Sequence, residues 1–339
     1  MAKIVVRPLQ QPDIPACGTL LAVRHTRDSA RLPAMTATLA DPRVAAEAVR
    51  KEAFGHRKDA VVAVIDDQIV GFLTGERMLL PPDFYVSLYI EHHSASIGNL
   101  GHATAAGSDT TDIYRRMYAA LSADWIRAGF FAHAVHISPG DMDVQEAWVS
   151  LGFGRKTTAA VRPTGVVETA SPKSLDIHRA SVEDIDVVAA LEVTLSQHHA
   201  AAPIFWPYLR DTDDSFRKHQ LELLADPASA YFVAYENGRP MGMQTFVKPG
   251  YTPETVDPES TVYLYEGVVE PDARGGGLGT GLLAHSMAWA REQGYANCCL
   301  HFASDNPSGA PFWLGQGFVP VEHTMVRRVD ERIAWADGR

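Results

Sequence analysis

The chain is written in two alternating textures. Short apolar runs of strand length, bounded by turn formers, separate longer segments whose apolar positions recur every three or four residues. The opening IVVR, residues 4–7, predicts a strand, and Asp13 is placed to cap a helix through Ile14, Leu20, Leu21 and Val23. Another helix is expected over 44–54. Apolar runs at 60–65 and 69–73, split by Asp66-Asp67-Gln68, predict a hairpin. Residues 84–90 read as a further strand, and the polar passage 92–112 as a loop holding one strand near 100–103. Met117, Leu121, Trp125 and Ile126 predict a helix over 113–128 that lies on a sheet. A strand over 130–137, a short helix over 145–151 and a strand over 157–161 complete this part.

The texture then breaks. Residues 161–174, VRPTGVVETASPKS, are rich in turn formers and lack a hydrophobic period, so a linker at 164–174 is expected to divide a domain at 1–163 from one at 175–339. The second part repeats the first. Strand 175–179, helices 182–195 and 216–224, hairpin strands 231–235 and 241–247, strand 262–269, helix 279–293, strand 296–302, a short helix near 312–314 and strand material in 318–328 follow in the same order. Ala63 with Val70-Gly71 falls on Ala234 with Met241-Gly242 at one offset. His136, Trp148 and Gly152-Phe153 fall on His301, Trp313 and Gly317-Phe318 at another. Two copies of one α+β unit account for this order.

Composition narrows the classes. At 339 residues with 46% hydrophobic content, the chain suits two ordinary cores. Its 30 basic and 41 acidic side chains, a formal net charge of −11, disfavour general nucleic-acid binding and suit a cationic or amine-bearing small molecule better. Three cysteines, Cys17, Cys298 and Cys299, form neither a disulfide framework nor a metal spacing, and the histidines show no zinc spacing. No segment approaches the roughly 20 apolar residues of a membrane span, so a soluble cytoplasmic protein with no membrane partner is expected.

Candidate chemistry concentrates in VVEPDARGGGLGTGLL, residues 268–283. An apolar strand ends, Arg274, Gly275, Gly276, Gly277, Leu278, Gly279 and Thr280 follow, and an apolar helix begins. Glycines let backbone N–H groups approach a polyanion, the helix N-terminus adds unpaired donors, and Arg274 adds a charged planar fork. The glycines lack the spacing of a dinucleotide fingerprint, and no Gly-Lys-Ser/Thr marks a mononucleotide P-loop.

The spacing Val269-x-Pro271-x-x-Arg274-Gly275-x-Gly277-x-Gly279 resembles the acyl-CoA-binding signature of the GCN5-related N-acetyltransferase family, and Asn306 to Phe318, NPSGAPFWLGQGF, resembles its second signature. The whole order resembles a tandem member: two acyl-CoA N-acyltransferase folds, each a splayed mixed sheet flanked by helices. The resemblance implies acetyl-CoA as acyl donor, with pyrophosphate on 274–280, the pantetheine arm along Val268 and Val269, and Asn306 near that arm. One of the two valine N–H groups would stabilise the oxyanion. Trp313 stands where many members carry a tyrosine that protonates the leaving thiolate, which an indole cannot do.

Glu266, in YLYEGVV, is the expected general base, and His301 an alternative acid or base that His136 in the first copy marks as structural. His198, His199, Trp206 and Tyr208 are candidates for the acceptor side, while an acyl-cysteine route through Cys299 lacks a supporting histidine–acid pair. In the first copy, TDIYRR at 111–116 replaces the glycine turn, and Asp112 opposes a phosphate. The expected function is direct acetyl transfer in a ternary complex to a small-molecule or protein amine. A noncatalytic acyl-CoA-binding or regulatory protein is the alternative.

Overall fold

The structure, a computed structural model, describes residues 3–32, 34–167, 175–248 and 250–336; of the expected linker, 168–174 lie outside the described residues. The first half runs β1 (Val5–Pro8), α1 (Ile14–Ser29), α2 (Pro42–Ala53), β2 (Lys58–Ile65), β3 (Gln68–Leu79), β4 (His93–Ile97), β5 (His102–Thr104), α3 (Thr110–Arg127), β6 (Ala132–Ile137), α4 (Met142–Ser150) and β7 (Gly154–Pro163). The second runs β8 (Asp176–Arg179), α5 (Ile185–Ala200), α6 (Asp213–Ala225), β9 (Ala230–Glu236), β10 (Arg239–Val247), β11 (Thr261–Val269), α7 (Leu278–Glu292), β12 (Asn297–Ala303), α8 (Gly309–Gly315) and β13 (Val319–Arg328).

Local chemistry explains many of these elements. Asp41 accepts from Arg43 N at the start of α2, Pro42 takes the first helical position, and Ala45, Val49 and Ala53 bury one face at a spacing of one turn. In α3 the expected stripe buries Met117, Leu121 and Trp125, joined by Ile113, while Ile126 is only half-buried. The stripe packs beneath the sheet with Trp148, while Leu282, Leu283 and Met287 of α7 do the same in the second half.

The sequence reading fails between 80 and 100. Residues Tyr85–Leu88 form a single short 3-10 turn rather than a strand, closed by Ser87 N to Phe84 O and by Ser87 Oγ to Pro81 O. The strand at this place is β4, whose sequence HSASI shows no apolar run. Pairing on both sides, to β3 and β6, overrides its weak propensity.

The strands form one mixed sheet in the order β1-β2-β3-β4-β6-β13-β7-β12-β11-β10-β9-β8, with β5 paired to β3. Read from the two ends, the order repeats itself, as the internal repeat requires. The last strands are exchanged: β13 lies between β6 and β7, and β7 pairs with β12. Each half lends its final strand to the other, so the two sheets expected from the sequence are joined into one. The unpaired edge that each half would otherwise expose is thereby closed.

One seam opens. β11 and β12 pair in parallel only from Thr261 to Tyr263 against Asn297 to Cys299, and beyond that point no ladder joins them. Gly242 to Val247 hold the other edge of β11 throughout. Among the described residues no helix is long and apolar enough to cross a membrane.

Candidate active site

The open seam leads to the N-terminus of α7. Gly275 and Gly277 have φ of 78° and 86°, left-handed values that a side chain would strain, and a Cβ on Gly275 would meet nothing within 4 Å. Gly276 and Gly279 lie outside that region, so two of the four glycines, not all, use their conformational freedom. No side chain caps α7, and the Gly277 carbonyl receives its first helical bond from Gly281 N. The N–H groups of Leu278, Gly279 and Thr280 therefore remain orphan donors, the arrangement an anion completes. Arg274 is anchored through Nε to Val269 O at 3.0 Å, which leaves its two terminal nitrogens for a phosphate.

Strand alternation separates the two valines. Glu270 N donates to Met241 O, so by antiparallel alternation Val268 directs its backbone groups to β10 while Val269 directs its own into the seam. Val268 buries its side chain with Val188 and Leu191 of α5. Of the pair proposed from sequence, Val269 alone has backbone groups facing the gap.

A cavity of about 1360 Å³ continues from this seam, and its lining brings together Glu266, His301, Val268, Val269, Arg274, Gly275, Gly277, Leu278, Gly279, Thr280, Asn306 and Trp313. Of the residues selected from sequence for the cofactor, Gly276 does not line it. The turn at 85–88 and the ends of β6, β7 and β13 supply the facing wall.

A β-bulge aims Glu266. Thr245 pairs with Glu266 and Phe246 with Leu264, so Tyr265 is an extra residue on β11. Tyr265 and Glu266 consequently both reach toward α6, where Tyr265 meets His219 and Glu266 meets Gln220. Gln220 Nε2 donates to both carboxylate oxygens, at 3.1 and 3.2 Å, and its own carbonyl accepts from the Tyr231 hydroxyl. Glu192 of α5, also buried, shares a hydrogen bond with Glu266. Burial raises both carboxyls above their ordinary range. The Glu266 charge pushes Glu192 well up, whereas hydrogen bonds from Glu192 and Gln220 partly restrain Glu266. Glu192 is thus the carboxyl pushed further up, and Glu266 is the one that faces the cavity.

Glu192 escaped the sequence reading, although a signal existed: it sits beside Val188, Leu191 and Leu195 on the apolar stripe of its helix, where an acid needs a partner. Gln220 carried no comparable signal.

The remaining candidates divide. His301 holds its Nδ1 2.9 Å from the Tyr263 hydroxyl, and burial pushes its pKa down to about 4, so it is a neutral imidazole at neutral pH and no acid there. Trp313 is a core side chain: it packs with Phe312 and Phe318, and a Cβ at Gly267 would come within 3.0 Å of its ring. Asn306 Oδ1 accepts from Gly309 N at 2.8 Å and Ser308 N at 3.1 Å, fixing the start of α8, and lies 3.2 Å from His198 Nε2. His199 and Trp206 line the cavity, but Tyr208 turns away to Asp213. Cys298 and Cys299 are fully buried, and burial raises both thiols, which removes the thiolate that an acyl-cysteine route needs.

The matching place in the first half is filled. Where β4 gives way to β5, the buried Arg24 guanidinium donates to the carbonyls of Asn99 and His102 and to Asn99 Oδ1. His102 and Trp148 pack on Tyr114 behind it. Asp109 Oδ1 caps α3 through Asp112 N at 3.0 Å, so this helix N-terminus already has its anion.

Comparison with known proteins follows this division. Residues 195–318, within the second half, match the acetyltransferase (GNAT) family. No curated protein matches the chain. A GCN5-related N-acetyltransferase from Sphaerobacter thermophilus is similar in structure over 96% of this chain and 95% of its own, at 14% identity and a TM-score of 0.56. The GCN5-related glucosamine N-acetyltransferase region of a fungal multi-domain GH3 β-N-acetylglucosaminidase is similar over 96% of this chain and 38% of its own, at 12% identity and a TM-score of 0.56. A tandem GNAT protein from the clavulanic acid biosynthesis pathway has 15% identity and a TM-score of 0.48, covering 96% of this chain and 98% of its own. The mixed α+β architecture is that of this fold.

Proposed function

We propose that the second half transfers an acetyl group from acetyl-CoA directly to an amine held in the same cavity, in one ternary complex. The observation carrying this reading is that the uncapped, glycine-lined N-terminus of α7 and the buried carboxylate of Glu266 open on one continuous space. Acetyl-CoA supplies the activated thioester. Arg274 and the N–H groups at 278–280 hold its pyrophosphate, and the outward backbone groups of β11 receive the pantetheine arm as an added strand. The Val269 N–H is the oxyanion donor.

Glu266 takes a proton from the incoming ammonium. Its raised pKa brings it closer to the proton it must accept, and Gln220 holds it still without neutralising it. The new C–N bond replaces the C–S bond, and the second amine proton ends on the CoA sulfur. The first half is a degenerate copy of the same unit: it keeps the strand order, has filled its own seam, and walls the acceptor side.

Trp313 favours a second reading. With no hydroxyl at that place to protonate the thiolate, a noncatalytic acyl-CoA-binding protein would need the same phosphate seat. Release of free thiol from acetyl-CoA, measured with a panel of amines, separates the two. Amine-dependent release that Glu266→Gln suppresses supports transfer, and tight CoA binding without release supports the alternative.

A further inference from the structure

The acceptor end of the cavity is built from rings contributed by both halves. Tyr85 and Tyr89 come from the turn in the first half, Trp206 from the connection between α5 and α6, and Tyr251 and Tyr265 from the second half. Tyr251 and Tyr265 have ring centroids 5.1 Å apart, and Tyr89 meets Trp206 edge-on at 5.9 Å. Tyr85 is braced by stacking on His219 at 4.2 Å.

A cation already occupies part of this end: the Lys156 ammonium lies 5.7 Å from the centroid of the Trp206 ring and donates to the Tyr89 carbonyl. Three carboxylates line the whole cavity, Glu91, Glu266 and Asp305, against five Lys or Arg side chains, and Glu91 is already paired with Arg328. A polyamine or an aminoglycoside would bury several ammonium groups against Glu266 and Asp305 alone, which is costly. The Tyr85 and Tyr251 hydroxyls are also engaged. Tyr251 OH lies 3.2 Å from His219 Nε2 and 3.5 Å from Tyr85 OH, so a polyhydroxylated acceptor must break existing contacts to be satisfied.

We infer that the acceptor is a primary monoamine on a flat apolar body, an arylalkylamine, with its ring among Tyr85, Trp206, Tyr251 and Tyr265 and its ammonium at Glu266. This rests on the acetyl-transfer reading above. It gives the first half a task in that reaction: Tyr85 and Tyr89 select the acceptor. Aromatic faces suit both a flat ring and a nearby ammonium.

The test measures kcat/KM of the full chain with acetyl-CoA and phenethylamine, tryptamine, spermidine, glucosamine or kanamycin, with calorimetry of CoA binding alongside. The expected result is that phenethylamine or tryptamine exceeds the other three by at least about tenfold. Tyr85→Ala should raise the arylalkylamine KM about three- to tenfold, as loss of one aromatic contact does, with the CoA dissociation constant unchanged. Trp206→Leu provides the same measurement if Tyr85→Ala no longer binds CoA. Preferred turnover of spermidine, glucosamine or kanamycin overturns the inference and leaves acetyl transfer in place. CoA binding with no transfer to any amine overturns both.

Discussion

Gln220 places its side-chain amide against both oxygens of Glu266, at 3.1 and 3.2 Å, and so ties α6 to the bulge of β11. This contact fixes the proposed base while leaving it charged. Glu266→Gln should lower kcat by about 10²–10⁴-fold and leave CoA affinity within twofold, as expected for loss of a general base. Gln220→Leu should retain the carboxylate but release it, with a smaller fall in kcat. Steady-state kinetics with calorimetry on both variants checks the order, and an unchanged kcat in Glu266→Gln removes the base assignment.

The pH dependence follows from the carboxyl pair. Glu266 works deprotonated, and its pKa is raised, so the acidic limb of kcat/KM should lie above the ordinary glutamate value of 4.5. Glu192 restrains that rise by donating a hydrogen bond. Glu192→Leu removes the donor and should move the limb to still higher pH, whereas Glu192→Gln keeps a neutral donor and should move it little. A limb that stays in place in Glu192→Leu contradicts this role for Glu192.

The exchanged strand carries its own ion pair. Glu322 on β13 lies 2.9 Å from His136 Nδ1 on β6 and accepts from Asn99 Nδ2 at 2.8 Å. Burial alone would raise Glu322 and lower His136, but their mutual charge and hydrogen bond prevail, so Glu322 is lowered and His136 raised. The Glu322 contribution is present above its ordinary value of 4.5 and lost as pH falls through the folded pKa. The His136 contribution is present below 6.5 and lost as pH rises through its folded pKa. Both are complete between those values.

Glu322→Gln should therefore destabilise the protein most in that window. We expect about 1–3 kcal/mol, below the cost of breaking a fully enclosed pair because the His136 side chain is 31% exposed. Urea denaturation across pH checks this, and a pH-independent difference contradicts it.

Gly277 tests the phosphate turn. At φ of 86°, valine would cost about 1–3 kcal/mol of backbone strain and narrow the approach to the helix N-terminus. Gly277→Val should weaken CoA binding more than Gly276→Ala, whose glycine has no left-handed φ and lies outside the cavity lining. Equal losses would contradict the special role of the left-handed Gly277.

Much of this was legible along the chain, because each half repeats its order of elements and the phosphate turn is contiguous from Arg274 to Thr280. The strand HSASI was not, since small polar residues acquire strand structure from neighbours on both sides. The exchange of β7 and β13 was also invisible: the repeat fixes which strands exist, while the pairing of a closing strand with its own half or the other depends on the connection between halves. Glu266 was found by its place before the turn. Its partners were not, because Glu192 and Gln220 come from separate helices, and Tyr85 reaches the same cavity from the other half.

The most direct measurement is a calorimetric titration of the full chain with CoA. The account predicts one site per chain, weakened about tenfold by Arg274→Ala through loss of a charge-assisted phosphate contact and unaffected by Asp109→Ala at the capped N-terminus of α3. Two sites per chain, or no binding by folded protein, would contradict it.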